Sequence, residues 1–135
     1  MKLFDPGPSG HTVSLGLLLH RLAFAGLMLS HGIPKITGFL KAKDTFPDPL
    51  GIGSTASLLA AIGAEGVCAF LVLIGFATRL AALPIVFTMG VAAFVVHAGD
   101  PWQKKELALA YAAAFLVLFF TGAGRYSVDA RGRRD

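Results

Sequence analysis

Four runs of mostly apolar residues divide this chain, and they constrain its fold more than any other feature. The runs cover residues 14–33, 56–76, 80–98 and 106–122. Each is close to the ~20 residues that a helix needs to cross the ~30 Å hydrocarbon core of a bilayer. Because backbone polar groups find no water in that core, such segments are expected to be helical. The sequence therefore predicts an all-α membrane protein, a single domain over residues 1–135 that folds as an antiparallel four-transmembrane-helix bundle.

The composition leaves little room for a water-exposed domain. The chain has 135 residues, of which 55% are hydrophobic and 15% charged, whereas soluble domains have about 25% charged residues. The single cysteine, Cys68, excludes an intrachain disulfide or a CxxC pair. Any electron transfer would therefore need a bound cofactor or a second chain. We expect the lipid bilayer, and not nucleic acid, to be the main partner.

The longer loop between helices 1 and 2, residues 34–55, mixes charged and apolar side chains. Such a mixture suits a segment at the headgroup level, either an ordinary interfacial loop or a lid. With four spans, both termini lie on one side of the membrane. The dense basic cluster on that side consists of Arg125, Arg131, Arg133 and Arg134. Because basic flanks favour the cytoplasm, we predict a bacterial inner-membrane protein with both termini cytoplasmic.

Charged residues inside the apolar runs indicate groups that face the bundle interior. Glu65 lies midway along the second run, where a carboxylate costs about 2.5–3.5 kcal/mol even on lenient insertion scales. The estimated depth of Arg21 differs from that of Glu65 by about one helical turn. The sequence therefore predicts a buried ion pair between Arg21 and Glu65. The pair is either purely structural, or it positions a ligand or passes a proton.

A polar pocket is predicted at the outer ends of helices 1, 3 and 4. Its members are His31, Lys35, His97, Glu106 and Tyr111. Imidazole exchanges a proton near neutral pH, and a lysine can stabilise charge that develops on an oxygen. Such a pocket suits a quinone headgroup, whose apolar ring Phe39 and Phe46 would cover. Ligation of haem b by His31 and His97 is a minor alternative, and no other metal site is predicted. The competing interpretation is that these groups only join helix ends.

The order of these residues resembles the DoxX family of small four-span membrane proteins. The matching features are Arg21, His31-Gly32-x-x-Lys35, Glu65, Gly75-x-x-Thr78-Arg79, His97, Glu106 and Gly122-x-Gly124-x-Tyr126-Ser127-x-Asp129. The resemblance covers about residues 18–130. It implies the four-span fold. Some family members are associated with thiosulfate:quinone oxidoreduction or with membrane complexes that handle oxidative and thiol stress, and the sulfur-oxidising members usually work with a second subunit.

Two classes of function follow from this reading. In the first, the chain is the quinone-interacting subunit of a membrane oxidoreductase, partnered by a second subunit or by copies of itself. The catalytic groups would then be His31, Lys35, His97 and Glu106, and the quinone-binding groups His31, Lys35, Phe39, His97 and Tyr111. In the second class, the chain is a non-catalytic scaffold, an assembly factor or a small-molecule permeation protein. Bound quinone, or a quinone-sized cavity near His31 and His97, would favour the first class.

Overall fold

The computed structural model describes Phe4 and residues 10–133, and these residues form helices and turns without a strand. The helices in chain order are α1 (His11–Thr37), α2 (Phe39–Ala42), α3 (Ser54–Ile74), α4 (Thr78–Val96), α5 (Trp102–Thr121) and α6 (Val128–Arg131). Two of them are not α-helical throughout. A π-helical segment, Gly63–Cys68, interrupts α3, and another, Ala92–Val96, ends α4.

Three of the helices, α1, α3 and α4, are long and apolar enough to cross a membrane. Helix α5 has 20 residues, but Lys104, Lys105 and Glu106 lie in its first turns, and it is not among the three. Large apolar side chains point outward from several helices, among them Leu19, Phe87, Phe94 and Phe120. Lipid tails can cover such a surface, whereas water would leave a large exposed apolar area. The chain is therefore an integral membrane protein.

Helix α1 extends beyond the predicted run at both ends, and at its C-terminal end this is because Pro34 does not terminate it. Proline lacks the N–H that closes a helical turn, yet its fixed φ is compatible with helix geometry. Pro34 lies inside α1, and the helix ends at Gly38, whose N–H donates to the Pro34 carbonyl at 2.9 Å. The connection to α3 is therefore residues 38–53, and it includes the short helix α2 rather than being a continuous loop.

Packing within the described residues joins α1 to α3 and α4 to α5. Helix α1 contributes Ala25 and Met28 to the core, where they lie with Val72, Ile85 and Phe115 from the other helices. The long helices run between two ends of the molecule. The connection 38–53 lies at one end, here called the cavity end. The α3–α4 turn, the start of α1 and the residues after α5 lie at the other, here called the terminal end.

Candidate functional site

An ion pair between Lys35 and Glu65 joins the last turns of α1 to the middle of α3. The Lys35 Nζ lies 3.3 and 3.4 Å from the two carboxylate oxygens of Glu65, and it also donates to the His31 carbonyl at 3.1 Å. The Glu65 side chain is 9% exposed and that of Lys35 is 26% exposed. The pair is therefore mostly shielded from the surroundings, with the lysine nearer the surface.

The close approach of the two helices at this point depends on Gly32. A Cβ atom at Gly32 would lie 2.7 Å from the Gly66 nitrogen and would overlap the Glu65 carbonyl group. Only glycine lets the two backbones approach to this distance, as small residues commonly do between membrane helices. Lys35 lies three residues after Gly32 on α1, so this contact positions the ammonium group beside Glu65.

The ion pair lines an apolar cavity of about 340 Å³ at the cavity end. Small side chains of α3 form one wall, namely Ser57, Ala60, Ala61 and Ala64, and residues of α4 form another, namely Pro84, Phe87, Thr88, Met89, Val91, Ala92 and Val96. Lys35 and Glu65 are the charged members of the lining. The cavity therefore combines apolar walls with one cation and one anion, which is the usual make-up of a small-molecule site.

Both π-helical segments border this cavity. Gly63–Cys68 contributes Ala64 and Glu65 to the lining, and Ala92–Val96 contributes residues at its two ends. Isolated π-helical turns are rare and are frequently found at functional sites, where the wider turn re-aims side chains. Two such segments on either side of one cavity support its interpretation as the functional site.

The connection 38–53 supplies the remaining wall with Phe46, Pro47, Pro49, Leu50 and Ile52. Asp48 holds this wall against the start of α3. Its carboxylate accepts hydrogen bonds from the Ile52 N–H at 2.9 Å, the Gly53 N–H at 2.8 Å and the Ser57 hydroxyl at 2.8 Å. The bond from the Gly53 N–H, followed by that from Ser57, lowers the pKa of Asp48 below its ordinary value. The ionised carboxylate is therefore the form that holds the wall.

We expect this wall to loosen in acid. Because the pKa of Asp48 is lower in the folded state, its contribution is complete above the unfolded-state value of about 3.9 and is lost as pH falls through the folded-state value. Protection factors of the Ile52 and Gly53 amides, from hydrogen exchange, should fall below about pH 4. In Asp48→Asn they should be low at every pH, and in the matched control Asp44→Asn they should follow the parent. Unchanged protection in Asp48→Asn would contradict this role.

The structure corrects the predicted ion pair between Arg21 and Glu65. Glu65 pairs with Lys35, and the Arg21 guanidinium donates to backbone carbonyls at the terminal end instead. Its partners on α3 are Val72 and Leu73, seven and eight residues beyond Glu65. At about 1.5 Å per residue, this places the guanidinium about two helical turns from the carboxylate. A depth estimated from residue spacing is too coarse to distinguish Lys35 from Arg21 as the partner of Glu65.

Arg21 is 1% exposed and joins the ends of two helices. It donates to the carbonyls of Leu73 at 2.7 Å, Val72 at 3.3 Å and Ala123 at 3.2 Å, and also to that of Tyr126. The last carbonyls of a helix lack intrahelical donors and carry partial negative charge. Arg21 therefore satisfies the end of α3 and the segment after α5 together, so its role is structural.

Other residues of the terminal end complete this arrangement. The Asp129 carboxylate accepts from the Ala77 and Thr78 N–H groups at 2.8 and 3.1 Å, at the start of α4. The Arg79 guanidinium donates to the carbonyls of Phe119 and Phe120 at 3.0 and 2.8 Å. These hydrogen bonds connect the start of α4 to the end of α5 and to α6. The Thr78-Arg79 and Tyr126-Ser127-x-Asp129 motifs thus have a structural explanation.

The remaining predicted site residues lie apart from the cavity lining. The ring of His31, which is exposed, packs edge-on against buried Tyr111 with 5.8 Å between centroids. His97 Nδ1 lies 2.7 Å from an Asp100 carboxylate oxygen, and this hydrogen bond lowers the pKa of Asp100. Glu106 is exposed at the start of α5.

Of the residues predicted to contact a quinone, Lys35 and Phe46 line the cavity, whereas Phe39 is half-buried in α2 and lies outside the lining. Roles for His31, His97, Glu106 and Tyr111 toward a quinone stay predictions. So does haem ligation, and the residues described include no group of three or more metal-ligating side chains.

Sequence reasoning missed Asp48 and the small residues that open the cavity. A signal for Asp48 was present, because an aspartate a few residues before glycines and a serine is typical of a side chain that caps a turn. The cavity itself had only a weak signal, the cluster of alanines in α3, which equally favours close helix packing.

Together, the helices and this charged apolar cavity define an integral membrane protein with one candidate ligand site. The DoxX family model matches residues 16–98, and the chain belongs to the DoxX family. It is similar to the inner membrane protein YphA of Escherichia coli strain K12, with 34% identity over 97% of this chain and 98% of that protein. It is also 30% identical to a protein of Haemophilus influenzae described as an uncharacterized protein, over 85% of this chain and 82% of the relative. No solved structure matches the chain.

Proposed function

We propose that this DoxX protein binds a quinone headgroup in the Lys35–Glu65 cavity, as the quinone-interacting subunit of an inner-membrane oxidoreductase. The observation that carries the proposal is one ion pair at the wall of an otherwise apolar cavity of about 340 Å³. A quinone ring is flat and apolar and has carbonyl oxygens that accept hydrogen bonds. An apolar cavity with a single cationic donor fits both properties.

The two charged side chains would have different tasks at this site. A bound quinone supplies an acceptor for two electrons and two protons. Lys35 would donate from its ammonium group to a carbonyl oxygen of the quinone and stabilise negative charge there. Glu65, whose carboxylate oxygens accept from the same ammonium, would hold that ammonium beside the quinone oxygen. The electrons would come from a reduced sulfur compound or thiol through a second subunit, as the sulfur-oxidising members of the family suggest.

The proposal includes a membrane arrangement. Helix α5 is proposed as the fourth span, with Lys104, Lys105 and Glu106 at the headgroup level, because it packs along α4. Both termini would then lie on the same side, and the basic residues near the C-terminus favour the cytoplasm. The cavity end would consequently open toward the periplasmic half of the membrane, which we take to be the inner membrane because the relative YphA is an inner membrane protein.

Binding of a tail-less quinone by the purified protein tests the function. Lys35→Met and Glu65→Gln should weaken binding by about tenfold to a hundredfold, because each removes a hydrogen bond that involves a charged group. Lys41→Met is the matched control, since Lys41 is exposed on α2 outside the cavity lining, and its affinity should equal that of the parent. Equilibrium dialysis in detergent measures the dissociation constants, and circular dichroism shows that each variant is folded.

Two outcomes would reject the proposal as stated. Absence of quinone binding by the parent protein would favour the second class of function, a membrane scaffold, for which the outward Phe87, Phe94 and Phe120 offer a contact surface. The second outcome is that quinone affinity is unchanged in both cavity variants but is lost in His31→Ala and His97→Ala. The quinone site would then lie at the two histidines and not in the cavity.

A further inference from the structure

Two neighbouring cavities along the α3–α4 hairpin share lining residues and are together called the groove, and charged residues line only one of its ends. A second apolar cavity, of about 470 Å³, lies beside the first and nearer the terminal end. Its walls include Cys68 and Leu71 from α3 and Leu80 and Leu83 from α4. Pro84 and Phe87 line both cavities. The two cavities are therefore neighbours along the same pair of helices.

The spacing of the lining residues shows that both cavities follow one helix face. On α3 the lining includes Ser57, Ala61, Ala64, Cys68 and Leu71, which recur every three or four residues, and Ala60 and Glu65 lie next to members of this series. Residues at this spacing lie on one side of a helix. The lining of α4, from Leu80 to Val96, faces them in the opposite chain direction. From Ser57 to Leu71 the groove is about 21 Å long, at about 1.5 Å per residue.

We infer that this groove binds the hydrocarbon tail of the same ligand whose headgroup lies at Lys35 and Glu65, so that the protein selects a tailed, isoprenoid quinone over a tail-less one. The inference rests on the proposed function. The charged pair lies at the cavity end, and the second cavity is lined by apolar side chains and the Cys68 thiol. A polar head followed by a linear apolar chain matches that asymmetry.

The size of the groove favours a chain over a helix as its occupant. A helix measures about 10–12 Å across with its side chains. A helix could not enter the two cavities of about 340 and 470 Å³ and would lie on the face outside them. A hydrocarbon chain is narrow enough to lie between α3 and α4. In lipid its selection would come from van der Waals packing rather than from removal of water, because lipid tails are equally apolar.

The test compares a tail-less quinone with the same headgroup carrying a two-isoprenoid tail, in lipid nanodiscs. The parent should bind the tailed compound at least about tenfold more tightly through added packing. Leu80→Trp and Leu83→Trp fill the second cavity with side chains that are partly exposed, so both variants should fold. They should reduce the preference to about twofold or less while leaving the tail-less affinity unchanged. Leu19→Trp, on the outward face of α1, is the control and should keep the full preference.

The outcomes separate this inference from the proposed function. If the tail-less quinone binds but the tailed compound has no advantage, the groove does not hold the tail, and the headgroup site stands. An advantage that survives in both tryptophan variants also overturns the inference. If neither quinone binds, the proposed function fails and the inference fails with it. Should Leu80→Trp instead dissociate a dimer of the parent, the groove is an interface between two copies of the chain, and the inference is wrong.

Discussion

Replacing Arg21 by methionine should destabilise this protein by about 3 kcal/mol or more, because it removes hydrogen bonds from a charged donor to buried carbonyls. The Arg21 side chain donates to Val72 and Leu73 at the end of α3 and to Ala123 and Tyr126 after α5. Methionine has a similar length but no donor. The apparent Tm in detergent, measured by the loss of helical circular dichroism or by aggregation, should fall clearly.

Arg125→Met is the matched control for this prediction. Arg125 also lies at the terminal end but is exposed, and its Tm effect should be small. Arg21→Lys should recover only part of the loss, because one ammonium group cannot reach the carbonyls of two separate segments as a planar guanidinium does. Equal stability of Arg21→Met and Arg125→Met would show that these bonds contribute little. Quinone binding to folded Arg21→Lys should be unchanged, since Arg21 is outside the cavity lining.

The partner of Arg21 illustrates what the sequence could and could not predict. A buried charge inside an apolar run correctly indicated an inward-facing group with a partner. The expectation of a carboxylate partner was wrong, because the ends of helices supply carbonyl groups with partial negative charge. Such backbone partners cannot be recognised from residue types, because every residue has a carbonyl group. Glu65 needed a cation, and Lys35, already singled out for its place at the end of the first run, provides it.

Helix bounds were predictable to within a few residues, while the shape of the site was not. The run 56–76 corresponds to α3, Ser54–Ile74, because hydrophobicity marks the lipid-facing stretch of a helix. The π-helical segments, Gly63–Cys68 and Ala92–Val96, have no comparable signal in the hydrophobic pattern. The cavity depends on those segments and on the wall held by Asp48. Its position beside Lys35 therefore had to come from the structure.

Gly32→Ala should lower both the stability and the quinone affinity of the protein, because it disturbs the contact between α1 and α3 and the Lys35–Glu65 ion pair. A Cβ at Gly32 would overlap the Glu65 carbonyl group and lie 2.7 Å from the Gly66 nitrogen. These are backbone atoms, so relief requires α1 and α3 to move apart. Overpacking of this kind typically costs about 1–3 kcal/mol. The movement would also separate Lys35 from Glu65, so affinity for the tail-less quinone should fall together with the Tm.

Gly26→Ala separates this effect from the general consequence of adding a methyl group to α1. Gly26 lies on the same helix, and a Cβ there would meet no atom within 4 Å. Alanine is favoured over glycine in a helix by about 1 kcal/mol, so Gly26→Ala should be neutral or stabilising, with normal quinone affinity. Both substitutions replace a glycine of α1 by alanine, but their effects on stability should differ in sign. If Gly32→Ala were as stable as Gly26→Ala, the close contact that positions Lys35 beside Glu65 would be absent in the folded protein.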